Sequence, residues 1–287
     1  VRILDALHER EEVGEFAAAV ARFLDLAVEA IERRGRLFVV CCGSSYNAAR
    51  AAALFFNDVA RTELVPLLPG EFRERVQSSL RDGDLFIAVS QSGETKDLID
   101  VMNDVIASGL AIRRVAIVNN LNSTLAEEKS ELTIPLRCGP EVAVPATKSF
   151  MNQLAVFYGL ALKLGERRVA EQPAGAKGHE AWATEIARRA SQFPSLPALI
   201  RTTVDNSASA IEEAAQLLYL RSSVHLLAIR LTALAREGAL KIREVVLNHA
   251  EGFEGSEFKH GPNTILGFNT VLGPREVEAL LRRVGHV

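Results

Sequence analysis

Two spacings of apolar residues alternate along this chain. The first is the short continuous run. It occurs at 36–42 (RLFVVCC), 64–68, 85–89 (LFIAV), 114–118 (VAIV after an Arg) and 132–136 (LTIPL), each short enough for a strand. The second is three-and-four spacing. Phe16, Val20, Phe23, Leu24, Ala27 and Ile31 trace one helical face across 13–34, and helical patterns return at 46–60, 95–108 and 149–164. Strands that are apolar throughout and separated by helices predict a parallel sheet covered on both faces. Open α/β sheets of this kind bind ligands beyond the carboxyl ends of their strands.

The pattern changes at 165–181 (GERRVAEQPAGAKGHEA), which is polar and carries Gly and Pro. It reads as a linker. Helices at 182–192 and about 205–219, a strand at 224–229 (VHLLAI) and a helix at 232–249 then repeat the order of the first lobe without its sequence. A short strand at 270–272 and a helix at 274–284 close the chain. The predicted organisation is an N-terminal helical segment 1–35, a first lobe 36–164, a linker 165–181 and a second lobe 182–287. The second lobe has too few residues after His260 to complete a sheet like the first, so an incomplete lobe is expected.

Composition narrows the class. The 287 residues are 48% hydrophobic and 24% charged, the balance of a globular protein with room for two domains. A net charge of −3 gives no footing for nucleic acid. Three cysteines, at 41, 42 and 138, suit neither a disulfide framework nor a zinc site, so a reducing, cytoplasmic setting is expected. No apolar run approaches the roughly 18 residues of a membrane span. The six histidines make no metal-ligand spacing, and neither a metal nor a cofactor is expected.

The first candidate chemistry is SQSGET, at the exit of the strand 85–89. Ser90, Ser92 and Thr95 supply hydroxyls, Gln91 an amide, and Gly93 conformational freedom, just where a helix begins. Turn and cap preferences alone can explain one such loop. Ser44 and Ser45 stand at a second strand exit, and two hydroxyl-rich loops in one sheet favour an anion cradle on unpaired helix N–H groups. Neither G-x-x-x-x-G-K-[ST] nor G-x-G-x-x-G occurs here, which points to a small phosphorylated metabolite over a nucleotide.

The second lies at 236–262. Glu237, Lys241 and Glu244 share one helical face, followed by His249, Glu251, Lys259 and His260. A solvated charged stripe is the plain alternative. As chemistry, Glu244 can move a proton between adjacent sugar carbons, His260 can open a ring, and Lys241 can form a Schiff base or orient an enediolate.

Five segments in order, CCGSSYNAA, SQSGETKDL, PEVAVPATKSF, EGALKIREVVLNHAE and EFKHGP, resemble the sugar isomerase (SIS) domain family. The similarity covers about 36–263. It is strongest to the double-SIS branch that forms the isomerase module of glucosamine-6-phosphate synthases. The resemblance implies two lobes, each an open parallel sheet flanked by helices in a flavodoxin-like three-layer sandwich. It implies that Ser45, Ser90, Gln91, Ser92 and Thr95 bind the sugar phosphate, while Val144 and Thr147 contact the sugar. Glu244 would be the base between C1 and C2, Lys241 the residue serving the open-chain sugar, and His260 the ring-opening group, shared across a homodimer. The expected reaction is aldose–ketose isomerisation of a 6-phosphorylated sugar coupled to nitrogen transfer at C2, with nitrogen from a glutaminase domain or free ammonia. A deaminase or deglycase of related phosphosugars and a non-catalytic phosphosugar sensor are the alternatives. Three features depart from the branch. No amidotransferase segment precedes Val1, no Gly lies between Val224 and Gly238, and no closing tail follows Val287.

Overall fold

The computed structural model describes residues 14–173 and 175–266. The chain divides into two compact units, Val1–Pro197 and Ala198–Val287.

The first unit opens with helix α1 (Gly14–Glu32), followed by β1 (Leu37–Cys41), α2 (Gly43–Phe55) and β2 (Leu64–Leu67). Helix α3 (Pro69–Arg75), β3 (Leu85–Ser90), α4 (Lys96–Ala107), β4 (Arg113–Val118) and β5 (Leu132–Pro135) come next. Two long helices follow, α5 (Lys148–Glu171) and α6 (His179–Gln192). The five strands pair in parallel in the order β2-β1-β3-β4-β5. Every residue of β1 and β3 is buried, as their unbroken apolar runs require. On one face Phe38, Phe86, Ala88 and Val118 meet Phe72 from α3 and Leu98, Val101, Met102 and Val105 from α4. Phe72 sits edge-on to both Phe38 and Phe86, at centroid distances of 6.0 and 5.2 Å. A buried side chain of this size contributes about 1.5–3 kcal/mol over an exposed one, so this layer is a large part of the stability of the unit. Helices α1 and α2 also pack on the sheet, and α5 packs on them.

The amino ends of β1 and β3 are tied by one buried carboxylate. Asp84 accepts from the Arg36 backbone N–H at 2.8 Å, the Arg36 guanidinium at 2.7 Å and the Arg81 N–H at 3.2 Å. This sets the two strands in register and leaves their carboxyl ends side by side.

The linker expected at 165–181 is mostly helix. Helix α5 continues to Glu171, and α6 begins at His179. The polar residues make tertiary contacts there. Arg168 donates to Ala60 O, Arg61 O and Thr62 Oγ1, and the Trp182 indole N–H donates to Val59 O at 2.8 Å. Trp182 and Ile186 are buried, so α6, expected in the second lobe, belongs to the first unit. Helix α2 also starts earlier than expected, at Gly43 instead of 46, which puts Ser44 and Ser45 in its first turn.

The second unit takes in most of α7 (Leu196–Leu218), then β6 (Ser223–Ala228), α8 (Thr232–Val246) and β7 (His249–Glu254). β6 and β7 form a parallel pair, with α8 packed on one face. The helix expected over 232–249 stops at Val246. Leu247 takes a left-handed φ of 58°, and the chain turns directly into β7. His249 and Glu251 therefore lie on a strand and do not continue the helical stripe. Gly252 makes that return possible, because a Cβ there would stand 2.5 Å from the Arg236 backbone nitrogen of α8. The strand and helix expected at 270–272 and 274–284 lie outside the described residues. Among the described residues, no helix is long and apolar enough to cross a membrane.

Candidate phosphosugar site

In the order β2-β1-β3-β4-β5, chain direction switches sides between β1 and β3. That is the crevice where open sheets of this order hold ligands. Both hydroxyl-rich segments stand there, because Cys41 at the end of β1 pairs with Val89 near the end of β3. The thiol of Cys42, the residue capping α2, is raised above its ordinary value by burial and by the Asp97 carboxylate in the first turn of α4. The two helix starts are thus electrostatic neighbours, and this thiol is held in its protonated, unreactive form.

Ser90 is the hub of the cradle. It is buried, and its Oγ lies 2.9 Å from Thr95 Oγ1 and 3.5 Å from Ser92 Oγ while accepting the Gly93 N–H at 3.0 Å. Ser92 Oγ also accepts the Glu94 N–H at 3.2 Å. Thr95 is the N-cap of α4, but its hydroxyl makes no cap bond and turns to Ser90 instead. The result is three hydroxyls held together at a helix amino end. An anion there finds oriented hydroxyl and amide donors and the positive end of α4. Gly93 closes the turn at φ +72°, and a Cβ on it would stand 2.0 Å from Ser123 Oγ.

Ser45 is also buried. Its Oγ accepts Gln153 Nε2 of α5 at 2.9 Å, so its proton is the part left to give a ligand. Ser44 and Gln91 are half-buried. Val144 is 87% exposed, on the loop between β5 and α5. Thr147, the N-cap of α5, is exposed too, and its backbone N–H goes to Glu141 Oε1 at 2.8 Å. The Glu141 carboxylate caps α5, accepting from Thr147 N, Ser149 N and the Ser149 hydroxyl. Burial opposes its ionisation, but these bonds outweigh burial and hold its pKa below the ordinary carboxylate value.

In the second unit, the stripe on α8 is a bridged trio. Lys241 Nζ lies 2.5 Å from Glu244 Oε2 and 3.2 Å from Glu237 Oε1, and Glu237 is 5% exposed. Burial of one carboxylate separates this arrangement from a solvated stripe. His260 is exposed, after the turn Glu257–Lys259. The structure thus brings together Ser90, Ser92 and Thr95 in one unit and Lys241 and Glu244 in the other, and it leaves Val144 and His260 on exposed turns. Among the described residues, no three His, Cys, Asp or Glu are grouped to hold a metal.

Sequence reasoning missed Glu94, Ser123, Thr124, Glu141 and Gln153. The polar run 119–124 at the exit of β4 could have flagged two of them by the carboxyl-end rule. Gln153 meets Ser45 108 residues away and left no local signal, while Glu141 caps a helix six to eight residues further on, beyond the usual capping spacing.

Residues 30–163 match the SIS domain family. The chain is 33% identical over 273 residues to a glutamine–fructose-6-phosphate aminotransferase (isomerizing) of Bradyrhizobium diazoefficiens, covering 91% of this chain and 42% of that protein. It is 34% identical over 267 residues to the Pyrobaculum aerophilum enzyme of the same name, covering 89% and 40%. It thus spans about two fifths of the length of these relatives. In fold it is similar to the C-terminal domain of glucosamine-fructose-6-phosphate aminotransferase from Francisella tularensis. The TM-score is 0.78 at 23% identity, over 98% of this chain and 76% of that one.

Proposed function

For a chain that carries a SIS domain at residues 30–163 and is homologous to the isomerase domain of glutamine–fructose-6-phosphate aminotransferases, we propose a phosphosugar isomerase acting on a 6-phosphorylated keto or amino sugar. The observation that carries this reading is the Ser90–Ser92–Thr95 cluster on the amino end of α4, at the β1/β3 crevice. A phosphate dianion satisfies the donors gathered there, with Ser44, Ser45 and Gln91 adding to them.

Lys241 and Glu244 carry the reaction in this reading. The Glu244 carboxylate removes the proton from C1, beside the carbonyl or imine carbon C2, and returns it to C2 as the carbonyl passes to C1. The sugar passes through an enediol or enolamine, and no atom is gained or lost in the isomerisation itself. Lys241, already against Glu244, gives an ammonium for the developing oxyanion or an amine for the open-chain carbonyl. His260 is assigned to ring opening, in a homodimer that shares it. Val144 and Thr147 are assigned to the sugar. Nitrogen for C2 comes from a glutaminase domain or from free ammonia. The ion-paired trio favours an enzyme over a sensor, which needs the cradle alone.

The test is turnover of fructose 6-phosphate with ammonium, and of glucosamine 6-phosphate, following sugar and ammonia together. Glu244→Gln should lower kcat by about a thousandfold or more, the scale of losing a central acid–base group, with phosphosugar affinity retained. Full turnover by that variant removes Glu244 as the base.

A further inference from the structure

The SQSGET loop is held by the loop that follows β4, through contacts that use none of its three hydroxyls. The Gln91 carbonyl accepts the backbone N–H of Asn119 at 3.2 Å and of Asn120 at 3.3 Å. The Gly93 carbonyl accepts the Leu125 N–H at 3.2 Å. Ser123, 2% exposed and bonded to Asn120 O at 2.7 Å, fills the space against Gly93. The outermost strut is a side chain. Glu94 Oε1 accepts the Thr124 N–H at 2.7 Å, and Oε2 accepts the Thr124 hydroxyl at 2.9 Å.

A carboxylate between Ser92 and Thr95 is out of place in a pocket for an anion, because like charges repel. Its bidentate engagement with Thr124 resolves this. Both oxygens are committed to donors on the β4 loop, and the same bonds fix the backbone between Ser92 and Thr95. We infer that Glu94 is a positioning residue for the phosphate site, acting through the SQSGET backbone with Thr124 as its anchor. The inference rests on the phosphosugar reading above.

The role separates from that of a solvated surface glutamate and from a purely electrostatic one. Glu94→Ala and Thr124→Val each remove the strut. Glu94→Gln removes the charge but keeps an acceptor for the Thr124 N–H and an amide that can donate to the Thr124 hydroxyl oxygen. Binding of fructose 6-phosphate to the full chain would be measured by calorimetry, beside KM and kcat and amide hydrogen exchange of residues 91–96. Glu94→Ala and Thr124→Val should raise Kd and KM by about tenfold, the scale of losing bonds to a charged group. Their kcat should stay within about twofold, since a binding interaction uniform in ground and transition states is what is lost. Exchange at 91–96 should speed up in both, and Glu94→Gln should restore affinity and protection. Unchanged affinity in folded Glu94→Ala overturns the inference, as does a Glu94→Gln variant that is as impaired as Glu94→Ala. If the unsubstituted chain does not bind fructose 6-phosphate, the phosphosugar reading fails first and takes this one with it. If that chain binds and only the strut variants behave as wild type, the positioning role alone is lost.

Discussion

At the scale of single residues, the cradle depends on a contact that no side chain can enter. Gly93 combines a left-handed φ of 72° with a Ser123 hydroxyl 2.0 Å from where a Cβ would be. Gly93→Ala should cost about 1–2 kcal/mol for the backbone conformation and more for the clash. Pairing it with Ser123→Gly should recover the clash and leave the conformational part, which a double-mutant cycle by urea denaturation separates. Full additivity would mean that the Ser123 side chain moves aside without penalty.

Elements obey what each can read from its own sequence, and depart where a distant residue intervenes. Strands β1, β3 and β4 were legible as apolar runs, because a strand buried on both faces has no polar side to disguise it. The cradle was legible for a similar reason, since Ser90, Ser92, Gly93 and Thr95 are adjacent in the chain. The last turns of α5 were not. Arg167 and Arg168 look like a linker until Arg168 meets the carbonyls of Ala60 and Arg61. β7 was hidden because neither Gly nor Pro stands at the reversal, and Leu247 takes the left-handed conformation in their place. The Glu94–Thr124 strut joins residues thirty apart in sequence, and no periodicity reports that.

The cap on α5 belongs to this scale and gives a pH signature. Glu141 has its folded-state pKa below the ordinary glutamate value. The stability it contributes is therefore complete above about pH 4.3 and is lost as pH falls through the lower folded value. In Glu141→Gln that dependence should vanish. The gap in urea midpoint between wild type and variant should be widest near neutral pH and narrow in acid. A constant gap would mean that the cap works without the charge.

For the whole molecule, the residues proposed for the phosphate and those proposed for the proton transfer fall in different units. The five-stranded sheet, the helices packed on it and the Ser90 cluster all lie within Val1–Pro197, while Lys241 and Glu244 lie in Ala198–Val287. The fragment 1–197 should therefore fold cooperatively by itself and bind fructose 6-phosphate without turning it over. Calorimetry and circular dichroism on that fragment check this. A fragment that folds without binding would show that the hydroxyl cluster of the first unit is not sufficient for the proposed phosphosugar binding.

The strand order has one further consequence, for the way the chain can come off the ribosome. β2 joins one side of β1, β3 the other, β4 then adds to β3, and β5 to β4. Taken in order of synthesis, every new strand docks on an open edge, and none has to be threaded between two strands already paired. The sheet can be laid down as it is translated, from the N-terminus outward. The β1/β3 crevice is framed as soon as the third strand arrives, before the residues that would carry the reaction have been made.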